Sequence, residues 1–69
     1  MLKAEFFEKD CTSAHEGIEE GKEHVHYRLE AKMPDGCILW NGVLLLGKGN
    51  FEHRQTAKRL LKAWLAEQT

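Results

Sequence analysis

The sequence predicts an α+β fold in which a three-stranded antiparallel sheet is followed by one C-terminal helix, in the order β-β-β-α. Three observations predict it: a run of strict apolar–polar alternation, a second apolar run of equal length joined to it by a turn, and a last segment with helical periodicity. The chain has 69 residues. A chain of this length has room for one hydrophobic core, so residues 1–69 are predicted to form a single domain.

The first strand is predicted over residues 1–8, where Leu2, Ala4 and Phe6 share one parity. The polar stretch CTSAHEGIEEGKE follows and contains two glycines, which is typical of a long loop. Ile18 is the only sizeable aliphatic residue of this stretch, and it is predicted to anchor the loop on the core.

The middle strand is predicted from HVHYRLEAKM, residues 24–33, in which apolar and polar side chains alternate without exception. Because successive side chains of a strand point to opposite faces, one face of this strand is predicted to be buried and the other wet. The residues predicted to face the core are Val25, Tyr27, Leu29, Ala31 and Met33.

A third strand is predicted over CILWNGVLLL, residues 37–46, which matches the middle strand in length. Pro34-Asp35-Gly36 is typical of a turn, so the two runs are expected to pair end to end as a hairpin. Asn41-Gly42 is itself a turn signal, and two interpretations therefore stay open. Either the run is one strand with a bulge at Asn41-Gly42, which the equal lengths favour, or it folds into a second hairpin and the sheet has four short strands.

The last segment, FEHRQTAKRLLKAWLAEQ, is predicted to be a helix that begins after Gly47-Lys48-Gly49. Asn50 is the predicted N-cap. Apolar residues at i, i+3, i+4 and i+7 are expected to form the stripe that packs on the sheet. These residues are Ala57, Leu60, Leu61 and Trp64.

The third strand is apolar on both faces, and one helix covers only one face of a sheet. The other face of this strand therefore lacks a cover within the chain, unless the long loop after the first strand folds over it. If this face stays uncovered, it is an exposed apolar patch, which is typical of an interface. This predicts a small, non-enzymatic interaction or regulatory module that forms a homodimer or binds a protein partner. Regulators encoded by phages and mobile elements are often of this size. The predicted interface residues are Ile38, Trp40, Leu44 and Leu46.

The charge distribution indicates an alternative function. Residues 1–35 carry five basic and nine acidic side chains, a balance of −4, whereas residues 36–69 carry five basic and two acidic, a balance of +3. Basic side chains on the last helix are predicted to form a ridge that could contact the phosphates of nucleic acid, with strong sensitivity to salt. The residues of this predicted ridge are Lys48, Arg54, Lys58, Arg59 and Lys62.

Residues 47–67, GKGNFEHRQTAKRLLKAWLAE, resemble the C-terminal part of double-stranded RNA-binding domains. In that family a glycine-containing loop leads into a helix that opens with basic residues and continues Ala-Lys. In this chain Gly47 and Gly49 match the loop glycines, and Ala57 and Lys58 match the Ala-Lys pair. The loop is longer in this chain, His53-Arg54-Gln55 replaces the family's Ser-Lys-Lys cluster, and the family's first helix has no counterpart. The resemblance implies a similar β-β-β-α topology.

Side chains able to bind zinc are present at Cys11, His15, His24, His26 and Cys37. Their spacing lacks the paired C-x-x-C of common zinc sites. The interpretation favoured by spacing is two surface histidines on a polar strand face, one loop cysteine and one half-buried cysteine, with no metal and no cofactor. A zinc-dependent protein is the alternative.

No catalytic residues are predicted. Ser13 is the only serine, and its neighbour His15 lies on a glycine-containing loop without a carboxylate placed to orient it. The N-terminal residues lack the apolar core of a signal peptide, and no run approaches the ~18 apolar residues of a membrane span. The sequence therefore predicts a cytoplasmic protein with reduced cysteines and no membrane partner.

Overall fold

A computed structural model describes residues 3–68. The elements are β1 (Lys3–Cys11), β2 (His24–Lys32), β3 (Ile38–Leu46) and α1 (Phe51–Gln68). The strands form one antiparallel sheet in the order β1-β2-β3, and α1 packs on one of its faces. The predicted β-β-β-α fold is thereby confirmed. Met1 and Leu2, which were predicted to begin the first strand, and Thr69 lie outside the described residues.

The central strand β2 pairs residue for residue with both of its neighbours. At one end of the sheet His24 lies between Cys11 and Leu46, and at the other end Lys32 lies between Lys3 and Ile38. β1 therefore continues three residues beyond its predicted end, because the first residues of β2 offer it further backbone partners.

β3 passes through Asn41-Gly42 as a regular strand, so the predicted bulge and the alternative second hairpin are both wrong. Leu29 pairs with Asn41 and Arg28 pairs with Gly42, with no residue skipped. The hairpin turn favoured by Asn-Gly needs positive φ at both residues, and neither has it. Pairing along the whole of β2 gives β3 a continuous ladder of hydrogen bonds, which outweighs the local turn preference.

The core lies between α1 and one face of the sheet. Alternate residues of β2 are buried there, as the alternation of its sequence predicted: Val25, Tyr27, Leu29 and Ala31. From the helix, Ala57 and Leu61 are buried against them, and Leu65 packs beside them. The helix thus turns its i, i+4, i+8 row to the sheet. Leu60, predicted to belong to the core stripe, is instead 48% exposed.

The helix begins where its cap was predicted. The side-chain Oδ1 of Asn50 accepts a hydrogen bond from the backbone N–H of His53 at 2.8 Å, and the Asn50 carbonyl accepts the first helical hydrogen bond, from Arg54. The predicted turn between β2 and β3 also forms, with Gly36 at φ +92° donating to the carbonyl of Met33. Within residues 3–68, no helix has both the length and the apolar character needed to cross a membrane.

Candidate functional site

The face of the sheet opposite α1, here called the open face, carries the side chains that alternate with the core residues. The open-face residues of each strand form one column along that strand. The columns of β1 and β2 are mostly charged, and the column of β3 is apolar. They are Lys3, Glu5, Phe7, Lys9 and Cys11 of β1; His24, His26, Arg28, Glu30 and Lys32 of β2; and Ile38, Trp40, Gly42, Leu44 and Leu46 of β3.

The apolar column on β3 contains all four residues of the predicted interface. Their exposed fractions are 63% for Ile38, 55% for Trp40, 41% for Leu44 and 65% for Leu46. We call these four residues the apolar row. Gly42 lies at its centre and contributes no side chain. Four large apolar side chains exposed side by side form a patch of the kind that marks interaction sites.

The apolar row lies on an edge of the sheet, and the two edges differ in charge. Charged side chains along an edge strand discourage pairing with another chain. β1 contains five charged residues among its nine, whereas β3 has none over its nine. The edge at β3 therefore lacks the protection that the edge at β1 has.

Trp40 makes its main polar contact with the central strand. The guanidinium carbon of Arg28 lies 4.1 Å from the centroid of the Trp40 ring, and the same guanidinium is 3.4 Å from a carboxylate oxygen of Glu30. A cation over an aromatic face is attracted by the ring quadrupole. This contact orients the Trp40 ring while more than half of the side chain stays exposed.

A second group of side chains lies at the end of the open face where β1 ends and β2 begins. The register places Cys11 beside His24, and His26 follows on the same face. His15 reaches the same point from the β1–β2 loop. One ligand atom of each of these four residues lies within 4.8 Å of all the others. We call Cys11, His15, His24 and His26 the Cys–His cluster.

The Nε2 atoms of the three histidines converge. Nε2 of His26 lies 2.9 Å from Nε2 of His15 and 3.2 Å from Nε2 of His24. The sulfur of Cys11 is 3.4 Å from Nε2 of His15. Three imidazole nitrogens and a sulfur are thus gathered within 4.8 Å of one another.

Backbone hydrogen bonds within the β1–β2 loop fix the position of His15. His15 and Ile18 exchange two backbone hydrogen bonds, of 3.1 and 2.8 Å, around a turn in which Gly17 has φ +82°. The N–H of Gly21 donates to the carbonyl of Thr12 at 2.8 Å. Ile18, predicted as an anchor on the core, is half-buried, and its backbone closes the turn that positions His15.

Two further contacts support the cluster from outside. Nδ1–H of His24 donates to the carbonyl of Lys22 at 2.9 Å, and the backbone N–H of Ser13 donates to the sulfur of Cys11 at 3.4 Å. The hydrogen bond from Ser13 lowers the pKa of the Cys11 thiol. Burial, and then the nearby charges of His15 and His24, lower the pKa of His26. Both pKa shifts favour the deprotonated side chain.

The interpretation of His24 and His26 as surface histidines is wrong. His24 is 1% exposed, and His26 is half-buried. Cys11 is the last residue of β1 and not a loop residue, because β1 is longer than predicted. The i, i+2 spacing of His24 and His26 did place both on one face, but only the extended register of β1 brings Cys11 to them.

Cys37 takes no part in the cluster. It was predicted to be the half-buried cysteine but is exposed, because it lies between the turn and the first residue of β3, whereas the cluster lies at the Leu46 end of the sheet. These two ends of β3 are about 26 Å apart at 3.3 Å per residue.

The residues of the predicted basic ridge differ in their contacts: two of them interact with side chains of β1, and the other three are exposed. Arg54 is bound by Glu8 of β1, with Nη2–Oε1 at 2.7 Å and Nε 3.2 and 3.3 Å from the two carboxylate oxygens. This hydrogen bonding raises the pKa of Arg54. The ammonium of Lys58 lies 5.4 Å from the centroid of the Phe6 ring. Lys48, Arg59 and Lys62 are exposed.

No protein-family model matches the sequence, and no curated protein or solved structure is significantly similar to it. The resemblance of residues 47–67 to double-stranded RNA-binding domains therefore stays a prediction.

Proposed function

We propose that the protein is a small, non-enzymatic interaction module that forms a homodimer through β3. The observation that supports this most strongly is the apolar row, four large apolar side chains exposed on an edge strand without charges. An edge strand presents unpaired N–H and C=O groups, and a second strand can satisfy them.

Two copies of β3 fit each other in antiparallel pairing centred on Gly42. Trp40 of one copy then lies opposite Leu44 of the other, and Ile38 opposite Leu46. All these side chains share one parity, so they lie on the same face of the joined sheet. The arrangement has two-fold symmetry, and each contact occurs twice.

Edge pairing explains the distribution of charge better than face-to-face packing of two open faces. The β1 and β2 columns of the open face contain Lys3, Glu5, Lys9, Arg28, Glu30 and Lys32. Face-to-face packing would bury these charged groups, which costs free energy unless each finds a well-placed partner. Pairing through β3 leaves them in water at the rim, where they set orientation and association rate more than affinity.

The test compares two exposed aromatic residues. Trp40→Lys places two charges at the centre of the proposed interface, and we expect it to weaken dimerisation at least about 30-fold, the effect of losing one interface hot spot. Phe51→Lys is the matched control, because Phe51 is 71% exposed on α1 and lies outside the apolar row. Light scattering coupled to size exclusion measures both. Equal masses for the two variants at every concentration would refute the proposed interface.

The proposal includes a cellular location and a role. We place the module in the cytoplasm, where the two free cysteines stay reduced, and assign it a regulatory role of the kind that small phage and mobile-element proteins perform.

The nucleic-acid alternative stays a prediction, and the binding of Arg54 by Glu8 counts against it because that cation already has a partner. It predicts that duplex RNA or DNA binds at low salt, that binding weakens steeply as salt rises, and that Arg59→Ala/Lys62→Ala removes it. Fluorescence anisotropy with labelled duplexes measures this. If neither duplex is bound at low salt, the alternative fails.

A further inference from the structure

We propose that the Cys–His cluster is a structural zinc site, in which the sulfur of Cys11 and the Nε2 atoms of His15, His24 and His26 bind one Zn²⁺. The site would tie the β1–β2 loop to the end of the sheet. It is independent of the proposed dimer, because no residue of the apolar row belongs to it.

The three shortest contacts among the four ligand atoms are close to the spacings of tetrahedral zinc. Zn–N bonds of about 2.0–2.1 Å and a Zn–S bond of about 2.3 Å place the nitrogens about 3.3 Å apart and the sulfur about 3.6 Å from each nitrogen. The contacts in the cluster are 2.9 and 3.2 Å between nitrogens and 3.4 Å between sulfur and nitrogen. These three contacts are within a few tenths of an ångström of the zinc values, and the remaining pairs of ligand atoms, all within 4.8 Å, close up as the metal binds.

Hydrogen bonding alone does not satisfy this arrangement. The Nδ1–H of His24 donates to the Lys22 carbonyl, so Nε2 of neutral His24 carries only a lone pair. Nε2 of His26 has either one proton or one lone pair, yet it lies within hydrogen-bonding distance of two other Nε2 atoms. At most one of these two contacts is therefore a good hydrogen bond in any protonation state. A cation at the centre accepts lone pairs from all three nitrogens.

The surroundings also suit a metal site. A histidine that binds a metal through Nε2 commonly donates its Nδ1–H to a carbonyl, as His24 does to Lys22. The Ser13 N–H that donates to the Cys11 sulfur stabilises the thiolate, which is the form that binds metal.

Four protein ligands leave no open position for water or substrate, so the site is structural and not hydrolytic. The chain between Cys11 and His24 has one sizeable aliphatic residue, Ile18, and thus little apolar surface with which to hold itself. Chains of this size often add a metal or disulfide to a small core. The proposed zinc supplies such a link between loop and sheet.

The first test uses the full chain, expressed without a histidine tag, stripped of metal and then dialysed against Zn²⁺. We expect one zinc per chain by elemental analysis. When free Zn²⁺ is at 100 times its dissociation constant, the melting temperature should be at least about 10 °C above that of the metal-free protein. With Co²⁺ as the probe, we expect the visible d–d bands of a tetrahedral site and a thiolate-to-cobalt charge-transfer band. Mg²⁺, which prefers oxygen ligands, should produce neither effect.

The second test uses matched variants. Cys11→Ser should abolish the charge-transfer band, and His15→Ala should lower zinc affinity at least about 10-fold, while the far-ultraviolet circular dichroism shows that both are folded. Cys37→Ser and His53→Gln are the controls, because these residues lie outside the cluster, and both should bind one zinc like the unmodified chain. Should the unmodified chain bind no zinc, or should Cys37→Ser lose the charge-transfer band in place of Cys11→Ser, the site is refuted.

Discussion

At the scale of single residues, Tyr27 has the largest fully buried side chain among residues 3–68. Its ring stacks on Phe6 with centroids 5.8 Å apart, and its hydroxyl lies beside Gly49, where an added Cβ would come within 3.2 Å of the oxygen. Burial, followed by the charge of Glu8, raises the pKa of Tyr27, so the phenol stays neutral near pH 7. Within the described part of the chain this hydroxyl has no hydrogen-bond partner.

A buried hydroxyl without a partner costs free energy, whereas the ring around it contributes apolar packing. We therefore expect Tyr27→Phe to leave the free energy of unfolding unchanged or to raise it by up to about 1 kcal/mol. Urea denaturation followed by circular dichroism measures the difference. Tyr27→Ala is the contrasting variant and should cost about 3–5 kcal/mol, because it removes the ring. A loss of more than about 1 kcal/mol in Tyr27→Phe would show that the hydroxyl is satisfied after all.

At the scale of elements, α1 is attached to the sheet through one row of side chains. Leu60 and Leu61 are neighbours in sequence, but Leu61 is 1% exposed and Leu60 is 48% exposed. The pair therefore tests which side of the helix faces the core.

We expect Leu61→Ala to lower the free energy of unfolding by about 2–5 kcal/mol, a large part of the stability of so small a domain. Leu60→Ala, which removes the same atoms from a half-exposed position, should change it by no more than about 0.5 kcal/mol. Chemical denaturation of both variants provides the comparison. Similar losses for the two leucines would mean that the helix turns a different side to the sheet.

The elements were largely predictable from sequence because their signals are local. The alternation of β2 and the cap at Asn50 each depend on a few neighbouring residues, and both are confirmed. Asn41-Gly42 was misjudged because its turn preference is also local, whereas the hydrogen bonds that keep it extended come from the whole of β2. Leu60 was misassigned because several rows of a helix with many leucines satisfy the same periodicity.

The sequence identified all four residues of the Cys–His cluster as possible zinc ligands, but it did not predict that they converge, because their convergence depends on register. Cys11 and His24 are 13 residues apart in sequence and become neighbours only when β1 extends to its last paired residue. His15 reaches them through a turn that is closed by backbone hydrogen bonds with Ile18. The sequence patterns that predict strands and helices do not predict this turn. By contrast, the parity of Ile38, Trp40, Leu44 and Leu46 was visible in the sequence, and all four lie exposed on the open face.

At the scale of the whole molecule, the sheet has two dissimilar edges and two dissimilar faces. One face carries the helix and the core, and the other combines charged columns, the apolar row and the Cys–His cluster. A chain that exposes an uncharged apolar edge strand risks uncontrolled association unless the edge is paired. The proposed homodimer pairs this edge and leaves the charged edge at β1 outermost.

Whether β3 pairs with a second copy of itself is decided by the solution mass of the unmodified chain, measured by light scattering across a wide range of concentrations. We expect twice the mass of one chain at high concentration, with dissociation to single chains on dilution and no larger species. A mass of one chain at every concentration would contradict the proposal that β3 pairs with a second copy of itself.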